Sequence, residues 1–264
     1  MKSLMKTMNA AIFGVVLFAL LFPAAAVAGA EGAPDINAVL KRLDDLFRSE
    51  SSVGSVELTV VKPRRTHTLK LKIWTQGDEK ALIVIEAPER DKGTATLKVG
   101  KNLWNYLPKV NRTIRIPPSM MQSSWMGSDF TNDDLVRESS LLKDFDSRIA
   151  GRSEDPAGWK IELTAKPGLI GLWQRIEYVL DVDGNLPLEA CFYDRKNRLA
   201  RIMRFDEVKI FNGRRIPAHL ALTPIDTDGK PEKDKQTEMR YLEIKFNVPV
   251  SDSMFSLSEL EKNR

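Results

Sequence analysis

LARIMRFDEVKIFNGRRIPAHLALTPID, residues 199–226, holds two runs of alternating apolar and polar residues joined by Asn212-Gly213. A period of two sends successive side chains to opposite faces of a strand. Asn-Gly favours the tight turns of two-residue hairpins, whose central residues need positive φ. The stretch therefore reads as an antiparallel hairpin, and the pattern repeats on either side of it. RIEYVLDVDGNLPLEACFYD (175–194) is interrupted by Asp183-Gly184-Asn185, and WKIELTAKP (159–167) precedes it. MRYLEIKFNVPV (239–250) follows a polar loop containing Asp228-Gly229. Turn signals at near-regular spacing between such runs predict an antiparallel sheet or barrel built from successive hairpins.

The first half reads the same way. VELTVV (56–61) is followed by THTLKLKIW (66–74), where Leu69, Leu71 and Ile73 share one face and Lys70, Lys72 and Trp74 the other. ALIVIEAP (81–88) is apolar on both faces, as a buried central strand would be. TATLKV and LWNYLP, joined by Gly100-Lys101-Asn102, form a hairpin, and RTIRIPP (112–118) ends the group. Ile36, Val39, Leu40, Leu43, Leu46 and Phe47 recur at helical spacing behind Asp35 as N-cap, predicting an amphipathic helix over 36–49. Short helices are expected at Asp129–Arg137, with Asp or Ser as N-cap, and in SSLLKDF (139–145). MFSLSELEK (254–262) is expected to return one Met and one Phe to the sheet. The expected fold is mainly β (α+β): a large, curved antiparallel sheet with an N-terminal helix and a helical insertion near its middle. A curved sheet has a concave face that helices, side chains or a ligand must fill.

The N-terminus has the features of a secretory signal peptide: Lys2 and Lys6, the apolar run Ala10–Phe22, and Ala26-Val27-Ala28 as a cleavage site. The run is shorter than the roughly 20 residues of a membrane-spanning helix. Residues 1–28 are thus expected to be a leader and 29–264 one domain, about 235 residues in size. The expected location is the periplasm. The leader has no Cys for lipid attachment, and the single Cys191 cannot form an intrachain disulfide, so stability must come from a core. Two of the 40 Lys and Arg residues lie in the leader, leaving 38 against 36 acidic ones, too even a balance to argue for nucleic acid. Basic clusters at Lys62, Arg64, Arg65 and at Arg195, Lys196, Arg198, Arg201, Arg204 read either as solvated strand faces or as contacts to anionic lipid headgroups.

Catalytic motifs are sparse. His67 and His219 lie in alternating runs with no second metal ligand near either, short of what zinc requires. No G-x-S-x-G, phosphate loop or H-E-x-x-H occurs. Asp181–Asn185 and Asp226–Gly229 look like calcium loops but lack the closing Glu, with Phe192 and Thr237 at that position, and read as turns. No enzyme activity, metal or cofactor is expected. Ser128 and Asp129 are the remaining support for a hydrolase.

SMMQSSWMGSDFTNDDL (119–135) contains half of the Met residues outside the leader. Met120, Met121, Trp125 and Met126 read as core, as an adaptable apolar lid over a cavity, or as a docking patch. Pro117-Pro118 and Gly127 favour a segment that leaves the sheet. GKNLWNYLPKVNRTIRIPPSMMQSSWMGSDFTNDDL (100–135) resembles the signature segment of the outer-membrane lipoprotein-sorting-like proteins, the LolA/LolB-type group. The resemblance rests on Leu103, Trp104, Tyr106 and Pro108, on the basic strand with Arg112 and Arg115, and on Met126–Phe130 with Asp134 and Leu135. It implies an unclosed β-barrel whose concave face is plugged by helices, a cavity for the acyl chains of a lipid or lipoprotein, a periplasmic location and no catalysis. Trp104 and Tyr106 are then expected near the cavity, and Met120, Met121, Trp125, Met126 and Phe130 in its lid or rim. Expected partners are lipid or lipoprotein acyl chains and an envelope transporter or membrane acceptor. The alternative is a soluble docking module of an envelope transporter that carries nothing.

Overall fold

The computed structural model describes residues 32–47, 49–136, 141–169 and 172–262; the expected leader lies outside them. Helix α1 (Ile36–Asp45) comes first, capped by the Asp35 carboxylate, which accepts from the Asn37 and Ala38 N–H groups. It is shorter than the periodicity suggests. Leu46 and Phe47 leave the helix: Leu46 enters a side cluster with Leu186, Ile216, Ile244 and Phe246, and Phe47 stacks on Tyr241 at 5.2 Å. Burial pushes the Tyr241 hydroxyl up to about 12.

Six strands follow: β1 (Ser51–Lys62), β2 (Arg65–Gln76), β3 (Lys80–Ala87), β4 (Ala95–Val99), β5 (Asn102–Leu107) and β6 (Arg112–Arg115). After α2 (Asn132–Val136) and α3 (Leu141–Asp144) come β7 (Phe145–Glu154), β8 (Ala157–Ala165), β9 (Arg175–Leu180), β10 (Pro187–Tyr193), β11 (Leu199–Phe211), β12 (Arg214–Pro224) and β13 (Gln236–Phe246). A short α4 (Leu257–Leu260) closes the chain.

Among the described residues, these 13 strands form one antiparallel sheet in the order β6-β5-β4-β3-β2-β1-β13-β12-β11-β10-β9-β8-β7. Each half is a meander, and the pairing of β1 with β13 joins the two. The turns follow the sequence signals. Asp181 Oδ1 accepts from the Asn185 and Leu186 N–H groups, and Asp226 Oδ1 from those of Asp228 and Lys230, so both carboxylates are used in turns.

The main core joins strands far apart in the sheet order. Ile83 and Ile85 of β3 belong to the same buried cluster as Phe145 of β7, together with Val39 and Leu40 of α1. Distant strands can share one core only if the sheet curls around it, so this face is concave and the barrel is left unclosed between β6 and β7. The opposite face of β3 and β4 carries a second cluster of Leu82, Val84, Ala95 and Leu97 under Phe255 and Leu260. ALIVIEAP is apolar on both faces because each has its own core. The C-terminal segment returns to the sheet with Phe255 buried and Met254 beside it.

β7 does not stand out in the sequence. It alternates in burial, but its inward positions after Phe145 include Ser147, Gly151 and Ser153, so the apolar signal is weak. As an edge strand it has one neighbour, β8.

Candidate functional site

The site follows from topology. β6 and β7 are consecutive in the chain yet occupy opposite edges of the sheet. The segment between them, residues 116–144, must therefore cross from one edge to the other. Its polar contacts trace the route. The Trp125 indole Nε1 donates to Thr96 Oγ1 of β4 at 3.0 Å. Asp129 then sits at the end of β1 and the start of β13: its carboxylate accepts from Lys62 Nζ and, at 2.8 Å, from the Thr237 hydroxyl. Asp134 reaches Arg201 of β11, and the Leu141 N–H donates to Asp44 of α1 at 3.0 Å before β7 begins. The segment is a strap across the concave face.

Before α2 the strap, residues 116–131, has little regular structure and is held partly by its own hydrogen bonds. The Trp125 N–H donates to the Phe130 carbonyl at 2.8 Å, and the Ser128 hydroxyl donates to the Trp125 carbonyl at 2.6 Å. Met126 and Gly127 both take positive φ, 51° and 77°. Positive φ is unfavourable for Met, and such conformations persist where the surroundings impose them. Here the reversal turns Trp125 and Phe130 into the core together. Helix α2 starts with a capping box: the Asp134 N–H donates to Thr131 Oγ1 at 3.1 Å, and Asp134 Oδ2 accepts from the Thr131 N–H at 2.8 Å. Thr131 is thus the cap, in place of the expected Ser or Asp, because Ser128 and Asp129 are engaged elsewhere.

The Asp134–Arg201 pair is a buried, two-pronged tie between the strap and β11. Both guanidinium NH groups reach the carboxylate at 2.8 Å, and side-chain exposure is 12% for Asp134 and 7% for Arg201. The guanidinium lies 4.3 Å from the Trp173 ring centroid and 4.5 Å from that of Phe192. Burial by itself would raise the Asp134 pKa; the hydrogen bonds and charge of Arg201, with those of Thr131, outweigh it and hold the carboxyl below its usual value. Sequence reading placed Arg201 in a basic surface cluster. The structure removes it from that surface, while Arg198 pairs with Asp194 and Arg204 with Glu189. The signal was the alternation itself, which sets Arg201 on the same face as Met203 and Phe205.

Among the described residues, three cavities border the strap: one of about 400 Å³ beside Ser124, Asp129 and Arg201, and two with more apolar walls. Of these two, one, about 310 Å³, lies between α1, the strap and β9–β13, with Leu43, Phe47, Phe130, Met203, Phe205 and Met239 in its wall. The other, about 350 Å³, lies over β2, β3 and the end of β5, where Met126 meets Leu69, Ile85 and Leu107. The strap therefore presents Met126 to one cavity and Phe130 to the other.

The structure brings Trp125, Met126 and Phe130 together here. Met121 is half-buried at a turn of the strap, and Met120 is 47% exposed. Trp104 and Tyr106 lie on the other face of the sheet, in the cluster beneath Phe255; Tyr106 is buried and its hydroxyl donates to Asn111 Oδ1 at 2.9 Å. Alternation put the two aromatics on one face, and the register of β5 on β4 turns that face away from both cavities. The histidines also have neighbours that sequence spacing hid. His67 Nε2 is 3.1 Å from Asp91, and His219 Nδ1 is 2.8 Å from Asp206 on the outer face. Asp206, Glu207 and His219 come close enough to share an ion, but Glu207 is already paired with Arg240. Cys191 is half-buried, and its thiol is pushed up to about 12 by burial and by the charges of Glu189 and Glu177.

A family model described as "Uncharacterized protein" matches residues 77–262. No curated protein matches the chain. Among solved structures, a DUF1329 family protein from Desulfovibrio piger is 23% identical, with a TM-score of 0.73 over 84% of this chain and 96% of that one. A domain assigned as an outer membrane lipoprotein-sorting protein, from Vibrio parahaemolyticus, is 19% identical, with a TM-score of 0.71 over 86% and 97%. A LolA superfamily protein from Nitrosomonas europaea is 19% identical, with a TM-score of 0.69 over 86% and 100%. At these identities the likeness establishes a shared fold, the LolA-like unclosed sheet.

Proposed function

This chain belongs to the family whose model matches residues 77–262, and we propose that it is a carrier that shelters acyl chains of a lipid or lipidated protein beneath its strap. The observation that supports this reading is a concave apolar face covered by a segment that sends Trp125 and Phe130 into the core and is tied to the sheet by Asp129 and Asp134, with cavities left on both sides of it. Each cavity is near the small end of the roughly 300–1,000 Å³ typical of ligand sites. The closed form thus has room for part of a chain, and the strap must shift to admit more. Met126 and Phe130 would line the space it opens. Each methylene removed from water is worth about 0.8 kcal/mol, so a few exposed side chains could not replace such a cavity. Release needs a membrane or protein acceptor that holds the chain comparably well. The proposed setting is the periplasm, reached through the leader at residues 1–28, with an envelope transporter or membrane as donor or acceptor.

The test is equilibrium binding of an acyl-chain fluorophore to the mature chain. Saturable binding that is lost in a Met126→Asp variant shown to remain folded, and weakened in Phe130→Leu, supports the proposal. Absence of saturable binding to the folded wild type would contradict it and favour a docking module with a filled interior.

A further inference from the structure

The cavity beside Met126 has an uneven chemistry. Its floor is apolar, formed by Leu69, Ile85, Leu107 and Met126. Its rim carries His67, Arg90, Asp91 and Lys109. The rim groups are ordered with respect to one another. Arg90 Nε donates to Asp91 Oδ2 at 2.9 Å, its NH2 group lies 3.0 Å from His67 Nδ1, and His67 Nε2 is 3.1 Å from Asp91. These contacts fit a neutral imidazole that accepts from Arg90 at Nδ1 and donates from Nε2 to Asp91. Burial, then the nearby Arg90 charge, lowers the His67 pKa and favours that neutral form. Exposure rises toward the solvent side: 16% for the His67 side chain, 30% for Asp91 and 51% for Arg90.

With His67 neutral, Arg90 and Lys109 face one carboxylate, and Arg65 is near enough to act on His67 as well. The mouth therefore carries excess positive charge above an apolar floor. Asp91 takes the Arg90 Nε and His67 takes its NH2 group, which leaves the NH1 group to donate to a second anion. A free inorganic anion would gain nothing from the floor, and an uncharged hydrocarbon nothing from the rim. An amphiphile uses both. Accepting the carrier reading, we propose that this cavity selects cargo by its headgroup: it binds a single acyl chain ending in a phosphate or carboxylate, with the anion at Arg90 and Lys109 and the first methylenes on Leu69, Ile85, Leu107 and Met126.

The test is calorimetric titration of the mature chain with palmitate, lysophosphatidylglycerol and uncharged palmitamide, each below its critical micelle concentration. The wild type is expected to bind the two anionic ligands about tenfold more tightly than palmitamide, the size of one charge-assisted contact. In the double variant Arg90→Gln/Lys109→Gln that gap closes, with palmitate reduced to the affinity of palmitamide. Both side chains sit on the rim, so a circular dichroism melt matching the wild type is expected to accompany the loss. Equal binding of all three ligands, unchanged in the double variant, would overturn headgroup selection and leave the carrier reading standing. Displacement of palmitate by inorganic phosphate at comparable concentration would overturn the amphiphile in favour of a free anion. Failure of every ligand to bind the wild type would remove the carrier reading, and this inference with it.

Discussion

Replacing Asp134 with Asn probes what holds the strap closed. The substitution keeps the shape of the side chain and removes its charge. Arg201 would then be left as a cation only 5% exposed as a whole residue. Its NH groups both point at Asp134, and its Nε has no hydrogen-bond partner among the described residues. The faces of Trp173 and Phe192 offer partial compensation through cation–π contact. Breaking a buried pair from one side costs about 3–5 kcal/mol. We expect the lower end, about 3 kcal/mol, because of the aromatic contacts and because an Asn carbonyl can still accept one bond. Urea unfolding at neutral pH measures the loss. Hydrogen exchange locates it, with faster exchange of the Trp125, Asn132 and Asp133 amides, which donate within the strap. Wild-type protein should show a related loss in acid. Asp134 has a lowered folded pKa, so its contribution is complete above the unfolded value near 3.8 and disappears as pH falls through the folded value below it. A stability change under about 0.5 kcal/mol, the range of ordinary surface substitutions, with unaltered strap exchange would refute the idea that this pair closes the strap.

Other substitutions test other parts of the structure. A Cβ on Gly158 would lie 1.7 Å from the Leu180 carbonyl oxygen, a backbone atom that cannot move aside cheaply. Gly158→Ala should therefore cost about 3 kcal/mol or more in chemical denaturation, and a near-neutral result would show the β8–β9 spacing to be wrong. Trp125→Phe removes the indole donor to Thr96 while keeping most of the apolar bulk. It should cost about 1–2 kcal/mol by thermal unfolding, and no cost would mean that this contact does not anchor the strap. Phe255→Ala empties the outer cluster, with an expected loss of about 3 kcal/mol that leaves acyl-probe binding unchanged, since the cluster is on the other face. With a thiol pKa of about 12, Cys191 should be roughly a ten-thousandth thiolate at pH 8 and react far more slowly with a disulfide reagent than a free cysteine; wild-type reactivity equal to that of unfolded protein would contradict its burial.

The hairpins could be read from the sequence because their information is local. Asn212-Gly213 and the alternation around it fix a turn and two strands without reference to the rest of the chain. The strap could be read only in part. Met, Trp, Pro and Gly content marked residues 119–135 as a segment outside the sheet, yet its crossing depends on β6 and β7 being at opposite edges. That arrangement is set by the long-range pairing of β1 with β13, nearly two hundred residues apart. The same limit applies to Trp104 and Tyr106: period two places them on one face, and only the packing of Phe255 and Leu260 determines which face that is. Arg201 and His67 illustrate a signal that was present and underweighted. Each is a polar residue at an inward position of an apolar alternation, beside Met203 and Phe205 in one case and Leu69 and Leu71 in the other.

The central claim, that acyl chains are carried beneath the strap, is most directly tested by native mass spectrometry. The protein would be purified from its native cells without detergent, and organic extraction would identify whatever it holds. The account predicts a stoichiometric lipid or acylated peptide on the wild type, absent from a Met126→Asp protein that remains folded. A folded wild-type protein that is recovered empty and takes up no acyl-chain probe in solution would contradict it.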